Sequence, residues 1–450
     1  MVARILIAED RREASARAYD DGLASPDALV REIARRARAR VTDPKFSARD
    51  SMPAPAAPPG YRDAVWRSRY RALAGKPVDC AVLQTALSDS AWPVRLRAAD
   101  LAGPECAHLL RPILDRWRLE YPSSAHRQRG GVAWQAAAHA FVAVARMSPA
   151  DARPVLEQYA RDPSPWTRVY AARAARVVRD TSLLRRLAVD PDDNVKEAAI
   201  DGLAAVAGRL ADDVYVRGLE ASGYQVIRAA ALALKGTSRQ GDVIRVGQPV
   251  LAALRAGTSE TSRDARVAVA DRLREAGVSD VSPDLLHPPP PTPLPAEAAG
   301  LALGKKVVLR VTLADSSGGG HFDVRLRGDV APITAARVLD LVRSGFYNHR
   351  AWYRVEADFV IQGGGPGNNE YVGYPRFFRD ELSAVPQVRG TVGMSTRGHD
   401  TGDAQWFVNL RDNLRLTRDY TTFGEVIDGI EVVDGILEGD VIERIEILTA

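Results

Sequence analysis

Trp352-Tyr353-Arg354-Val355, Phe359-Val360-Ile361-Gln362-Gly363-Gly364 and Gln405-Trp406-Phe407-Val408-Asn409 read as short strands that gather polar and aromatic side chains. In the last of them Trp406, Val408 and Leu410 point to one side and can fill a core, so Gln405, Phe407 and Asn409 share the other. An aromatic on a polar face needs a reason. Phe407 between two amides suits the floor of a small peptide groove, with Gln405 offering a donor and an acceptor to a passing backbone. The plainer alternative is that Phe407 packs under a neighbouring loop. Arg354 and Gln362 upstream favour the groove.

Together these segments resemble the active-site strands of the cyclophilin-type peptidyl-prolyl isomerases. In that family an arginine two residues after an aromatic, followed by Phe-x-x-Gln-Gly-Gly, carries the catalytic guanidinium and the glutamine that steadies it. By this resemblance the catalytic set is Arg354, Gln362, Phe359, Gln405 and Phe407. The substrate-binding positions it implies are Val360, Met394, Ser395, Thr396, Leu416 and Tyr420. The reaction so implied is rotation about an X-Pro bond, whose barrier of roughly 18–20 kcal/mol comes from amide resonance. A catalyst needs a hollow for the proline ring and a fixed cationic donor that favours the twisted amide over either planar isomer. No cofactor and no metal is implied.

The sequence departs from the family's pattern in several places. Val360 stands where methionine is common, Ser395-Thr396 where Ala-Asn is frequent, and Tyr420 where histidine is frequent. Arg415 occupies a position held elsewhere by tryptophan or phenylalanine, which makes the rim charged and implies weak cyclosporin binding. Val355-Glu356-Ala357-Asp358 replaces an Ile-Pro-Gly type turn. A carboxylate folded back onto Arg354 would compete with substrate, but charged turn residues usually face water, so both are expected to be solvated.

Outward from this region the periodicity changes twice. Val307, Leu309, Val311 and Leu313 alternate with polar neighbours, Gly318-Gly319-Gly320 turns the chain, and Phe322, Val324 and Leu326 alternate again, which is a hairpin. A helix opened near Pro332 and closed by Gly345, a second over residues 430–437 and a last strand through Ile445 complete the pattern. Residues 305–450 are thus expected to form a mainly-β, cyclophilin-like closed barrel with two helices. Before it, the Pro-rich run from Leu286 to Pro295 marks a stiff linker over residues 284–304. Gly363-Gly364-Gly365-Pro366-Gly367 is not a phosphate-binding loop, because no Lys-Ser/Thr and no helix start follow it.

Residues 1–283 show short amphipathic helices, Asp/Pro turns and almost no strand signal, with a Pro-rich break at 51–60. A phrase recurs: Ser88-Asp89 leads to Val94-Arg95, Asp162-Pro163 to Arg168, Asp190-Pro191 to Val195-Lys196, and Ser222-Gly223 to Ile227-Arg228, each followed by paired alanines. Ser25-Pro26-Asp27 to Arg31 and Arg263 to Arg266 are weaker copies. The spacing of about thirty residues belongs to two-helix repeats, and the phrase resembles HEAT repeats. The fold class expected is therefore multidomain, an all-α HEAT-like solenoid followed by the barrel. In such an array the turn Asp caps the second helix, the Pro takes its first turn, and alanines let helices approach closely. The solenoid is a docking surface for a protein partner or a plain spacer.

Composition bounds the remaining possibilities. A chain of 450 residues with 46% hydrophobic and 26% charged residues is globular and exceeds a single core. The net charge of +4 and the absence of a basic block interleaved with aromatics argue against nucleic acid as a partner. No apolar stretch reaches the ~20 residues of a membrane span. The apolar run at the start is too short for a signal peptide, which reads as cytoplasmic, or periplasmic if a leader precedes this start. Arginine and alanine richness fits a GC-rich bacterial genome. Cys80 and Cys106 are expected as reduced core thiols, and His399 as an exposed loop residue. The function expected is prolyl isomerisation of protein clients. The alternative is a proline-peptide-binding scaffold of little or no activity.

Overall fold

The computed structural model describes residues 1–43, 63–73, 79–119 and 134–448; the break at 51–60 lies outside them. The chain divides into two compact units, one of residues 1–67, 290–370 and 374–450, the other of residues 68–289 with 371–373.

The first unit is built on an eight-stranded antiparallel sheet: β1 (Val308–Leu313), β2 (His321–Leu326), β3 (Trp352–Glu356), β4 (Val360–Gly363), β5 (Thr391–Met394), β6 (Trp406–Asn409), β7 (Thr422–Asp428) and β8 (Ile442–Leu448). Its order is β3-β4-β6-β5-β7-β2-β1-β8. The sheet is open, which corrects the closed barrel expected from the sequence. β3 and β8 are its edges, and no ladder joins them; an isolated bridge links Ala351 and Val441. The physical reason lies in where the edges meet. Trp352 pairs with residues 439–440, before β8 begins, and Ile442 pairs with residues 349–350, before β3 begins, so the two strands part instead of forming a ladder.

The β1–β2 hairpin turns through Gly318, Gly319 and Gly320, all at positive φ, as its glycine run foretold. The first helix, Pro332–Arg343, carries proline in its first turn and is followed by Gly345 at φ 70°. The second is shorter than expected, Ile430–Asp434. One face of the sheet and the Pro332–Arg343 helix enclose a core containing Trp352, Ile361, Trp406, Val408 and Phe423.

That core also takes in Val2, Ile5, Leu6, Tyr19, Ile33 and Ala37 from the helices Val2–Asp10, Arg17–Leu23 and Ala28–Thr42. The first helices, read from sequence as solenoid, thus belong to the sheet's unit. Charged side chains fasten them. Arg40 is fully buried and donates to Glu9 Oε1 (2.9 Å), Leu382 O (2.8 Å) and Val330 O (2.8 Å). Arg337 reaches Asp10 at 2.6 Å, and Arg67 reaches Asp434 at 3.1 Å, which also pairs with Arg389 at 2.6 Å. The linker is likewise not a free spacer: Ala298, Leu301 and Ala302 of the helix Ala298–Ala302 lie in the same core.

The second unit is a row of helical hairpins. The helices Pro165–Val178, Asp193–Val206, Tyr224–Ala233 and Arg263–Glu275 pack one on the next, each backed by the helix before it in sequence. Ala171, Ala172, Ala175, Ala199, Ala230 and Ala231 are buried between them, the close approach that small side chains allow. The recurring turn works differently from the expectation. Asp162 and Asp190 accept from the backbone N–H two residues on, of Ser164 (2.8 Å) and Asp192 (2.9 Å), so they shape the turn and leave the helix start to others. Pro163 and Pro191 sit in that turn, outside the helices. Arg168 donates back to the carbonyls of Asp162 (2.9 Å) and Pro163 (3.1 Å) and forward to both oxygens of Asp190, fastening one hairpin to the next. The basic residue of that repeat is thus structural.

Cys80 and Cys106 form a disulfide with Cα atoms 5.2 Å apart, against the expectation of free thiols. The sequence could not show it, because only the packing of the helix Cys80–Ala86 near the turn Pro104–Cys106 brings the sulfurs together. Closing a loop of this length typically stabilises by about 2–4 kcal/mol. Reduction is therefore expected to lower the melting temperature of the second unit by several degrees, read by calorimetry with and without reductant; no shift would show that the bond does not constrain the fold.

Candidate active site

Antiparallel pairing sets the site residues in one transverse row. Arg354 of β3 faces Gln362 of β4, Gln362 faces Phe407 of β6, and Phe407 faces Gly393 of β5. Residues directly opposite share a sheet face, so all four register on the side away from the Trp406 and Val408 core. Gly393 is needed there: a Cβ would lie 2.3 Å from Cζ of the Phe407 ring.

An apolar cluster forms around that ring. Phe407, Val360 and Leu416 make a small cluster separate from the main core, with Phe359 and Tyr420 packed against it. Tyr420 meets Phe407 edge-on at 5.6 Å. Of the site residues read from sequence, Phe359, Val360, Phe407, Leu416 and Tyr420 are therefore brought together. Asn409, on the same strand face, is held elsewhere, donating to Gln387 Oε1 (2.7 Å) and Thr391 Oγ1 (2.8 Å).

A buried chain of amides supports Arg354. Its Nη1 donates to Gln362 Oε1 at 3.1 Å. Gln362 Nε2 donates in turn to the Tyr353 hydroxyl (2.9 Å) and to Ser395 Oγ (2.9 Å), while Tyr353 donates to Gln405 Oε1. Gln405 Nε2 reaches Glu370 O (3.1 Å) and Asp403 Oδ2 (3.2 Å), and Asp403 pairs with Arg397 at 3.1 Å. With both neighbours fixed, the Gln362 amide can present only its oxygen to the guanidinium. Burial, then the charge of Asp403, holds the Tyr353 phenol well above its usual range, so it stays a donor.

Tyr353, Arg397 and Asp403 were not picked out from sequence. Tyr353 alternates with Arg354 along the strand, and the Arg397–Asp403 pair needs the intervening loop to fold back.

The other side of Arg354 is occupied. Its Nε donates to Glu356 Oε1 at 2.9 Å, and Nη2 contacts the same oxygen. Glu356 is exposed, as expected, but it is the last residue of β3 and the arginine's ion-pair partner, because both lie on that strand two residues apart and so project from one face. Burial disfavours the charge on Arg354, but the bond and field of Glu356, with Glu370, leave its proton more tightly held than usual. Asp358 turns instead to Arg411, at 3.1 Å.

Of the segment expected to pair with a peptide backbone, Met394 puts its side chain in the main core. The N–H groups of Met394 and Ser395 are taken by Thr421 O and Gln405 O, which leaves Thr396, half-buried at the end of β5. The loop after it is anchored by Arg12, which pairs with Asp400 and donates to Asp380 O at 2.9 Å. His399 is exposed, 3.3 Å from Asp380. Among the described residues no cluster of side chains suited to a metal ion occurs, and no helix is long and apolar enough to cross a membrane.

Residues 309–449 match the family model for cyclophilin type peptidyl-prolyl cis-trans isomerase/CLD. Peptidyl-prolyl cis-trans isomerase-like 3 of Dictyostelium discoideum is 34% identical over 120 residues, 26% of this chain and 74% of that protein. A peptidyl-prolyl cis-trans isomerase of Helicobacter pylori is 34% identical over 130 residues, 28% of this chain and 80% of that one. This chain belongs to the cyclophilins. A third relative, peptidyl-prolyl cis-trans isomerase A of Dickeya dadantii, is 33% identical over 129 residues, 27% of this chain and 68% of its own length. The cyclophilin match falls on the open sheet and its two helices; the hairpin row and the first three helices lie outside it. The chain is accordingly a peptidyl-prolyl isomerase, acting on proline-containing peptides.

Proposed function

We propose that the hollow of Phe359, Val360, Phe407, Leu416 and Tyr420 receives the proline ring and that Arg354 acts on the X-Pro amide beside it. The observation that carries this is the row Arg354, Gln362, Phe407, which sets a fixed guanidinium next to an apolar floor. A guanidinium has five N–H donors. Three are directed at Gln362 and Glu356, which leaves two for a substrate. A donor held there stabilises the localised lone pair of a twisted amide more than the delocalised pair of a planar one, so it lowers the barrier without favouring either isomer. Thr396 offers its backbone to the peptide. The hairpin row, with turns like those of HEAT repeats, holds or positions clients. The disulfide is consistent with work in an oxidising compartment.

One observation favours the second reading, a proline-binding scaffold of low turnover: Glu356 sits on the arginine. As the pair is partly exposed, its strength corresponds to about 1 kcal/mol or less. Glu356→Gln is therefore expected to raise kcat/KM for a short proline peptide roughly two- to fivefold. A fall in rate would instead make Glu356 a positioning group for the guanidinium. Peptide binding with no exchange of its isomers in either protein would support the scaffold.

A further inference from the structure

We propose that Arg415 makes this cyclophilin prefer substrates with an acidic side chain directly after the proline, an inference that rests on the pocket assignment above. The turn Leu414–Leu416 sends Leu416 into the proline hollow and leaves Arg415 exposed at its rim. The Arg415 guanidinium lies over the ring of Phe359, 4.8 Å from its centre. Such stacking holds a long side chain in place while its N–H groups remain available, which lessens the ordering cost of a contact made by them.

Charge around the hollow is unevenly satisfied. Glu356 is engaged by Arg354, and Asp358 by Arg411. Among the described residues no carboxylate pairs with Arg415, nor with Arg418 two residues beyond Leu416, whose Nε is buried without a partner. Arg415 over Phe359 is thus without a carboxylate partner among the described residues, although Asp419 is exposed on the same segment beside Tyr420, whereas the Arg354 side carries Glu356 and feels Glu370. A peptide with its ring in the hollow and its X-Pro amide at Arg354 has its upstream residues along Thr396. The residue that follows the proline then leaves across Phe359 and Arg415. A carboxylate there meets an unpaired cation, and a lysine there is repelled.

The test uses the full chain and three peptides that differ only after the proline, with Glu, Gln or Lys, followed by exchange spectroscopy at low and high salt. Wild type is expected to turn over the Glu peptide about two- to fivefold faster than the Gln peptide in kcat/KM, with Lys slowest. The preference should shrink at high salt. In Arg415→Gln the Glu and Gln peptides should become equal, and in Arg415→Glu the Lys peptide should lead. Equal turnover of the Glu and Gln peptides by wild type, or an unchanged preference in Arg415→Gln, would overturn the assignment of Arg415 while leaving the isomerase site standing. No turnover of any peptide would overturn both.

Discussion

A chain that begins at residue 290, and so lacks residues 1–67 of its own unit along with 68–289, is expected to aggregate or to melt at least about 10 °C below the same unit with residues 1–67 present. Sequence reading places the isomerase boundary at residue 305 and implies that such a piece stands alone. The core contradicts this, because Val2, Ile5, Leu6, Tyr19 and Ile33 are among its buried members. Each large apolar side chain withdrawn from the core forfeits roughly 1.5–3 kcal/mol, and five of them approach the whole stability of an ordinary domain. Ion pairs compound the loss. Arg337 would lose Asp10, and Glu381, which caps the Pro332–Arg343 helix through the N–H groups of Ile333 (3.2 Å) and Thr334 (2.7 Å), would lose Arg40 at 3.9 Å. Calorimetry of the 290–450 fragment, alone and with residues 1–67 added in trans, checks it. Recovery of the transition by the added segment is the expected result, and an unchanged melting temperature without it would show that these helices only rest on the domain.

Arg354→Ala is expected to lower kcat/KM by about a hundredfold or more, the usual scale for losing a single preorganised donor to a transition state. Arg354→Lys should do nearly as badly. An ammonium cannot span Gln362 and Glu356 as a planar fork does, so it would settle on one of them and leave the amide unattended. Neither change should disturb folding, since Arg354 is partly exposed and its ion pair is worth little there. Steady-state rates with a short proline peptide, set beside melting curves of the same proteins, separate the two effects. A drop in rate accompanied by an equal loss of folded protein would remove the case for a direct role.

Much of the site could be read from the chain because it is carried by strand periodicity and short spacings. Phe407 between Gln405 and Asn409 marked a polar-side aromatic, and in the structure it packs with Val360 and Leu416 in a cluster separate from the main core. What escaped were contacts that depend on long-range folding. Arg12 meets Asp400, and Cys80 meets Cys106, only because helices bring them together. Glu356 was misjudged for another reason: treating it as a turn residue hid that β3 extends to it and so aligns it with Arg354. The helical region shows the same division. Its repeating turn was visible, but the copy at Ser25 to Arg31, whose Arg31 bonds the carbonyls of Ser25 and Pro26 at 2.7 Å as Arg168 bonds its own turn, proved to serve the sheet's unit. Turn chemistry is local, and which core a helix joins is not. Closure of the sheet also lay beyond local pattern, since it depends on where β3 and β8 begin relative to each other.

In the proposed mechanism the guanidinium of Arg354 acts on a proline amide held over Phe407. Exchange spectroscopy on a proline peptide mixed with the full chain tests it most directly, because it reads cis–trans interconversion at equilibrium. Exchange cross-peaks are expected with wild type and are expected to disappear with Arg354→Ala, while peptide shifts still report binding to the hollow. Equal exchange rates for the two proteins would contradict it.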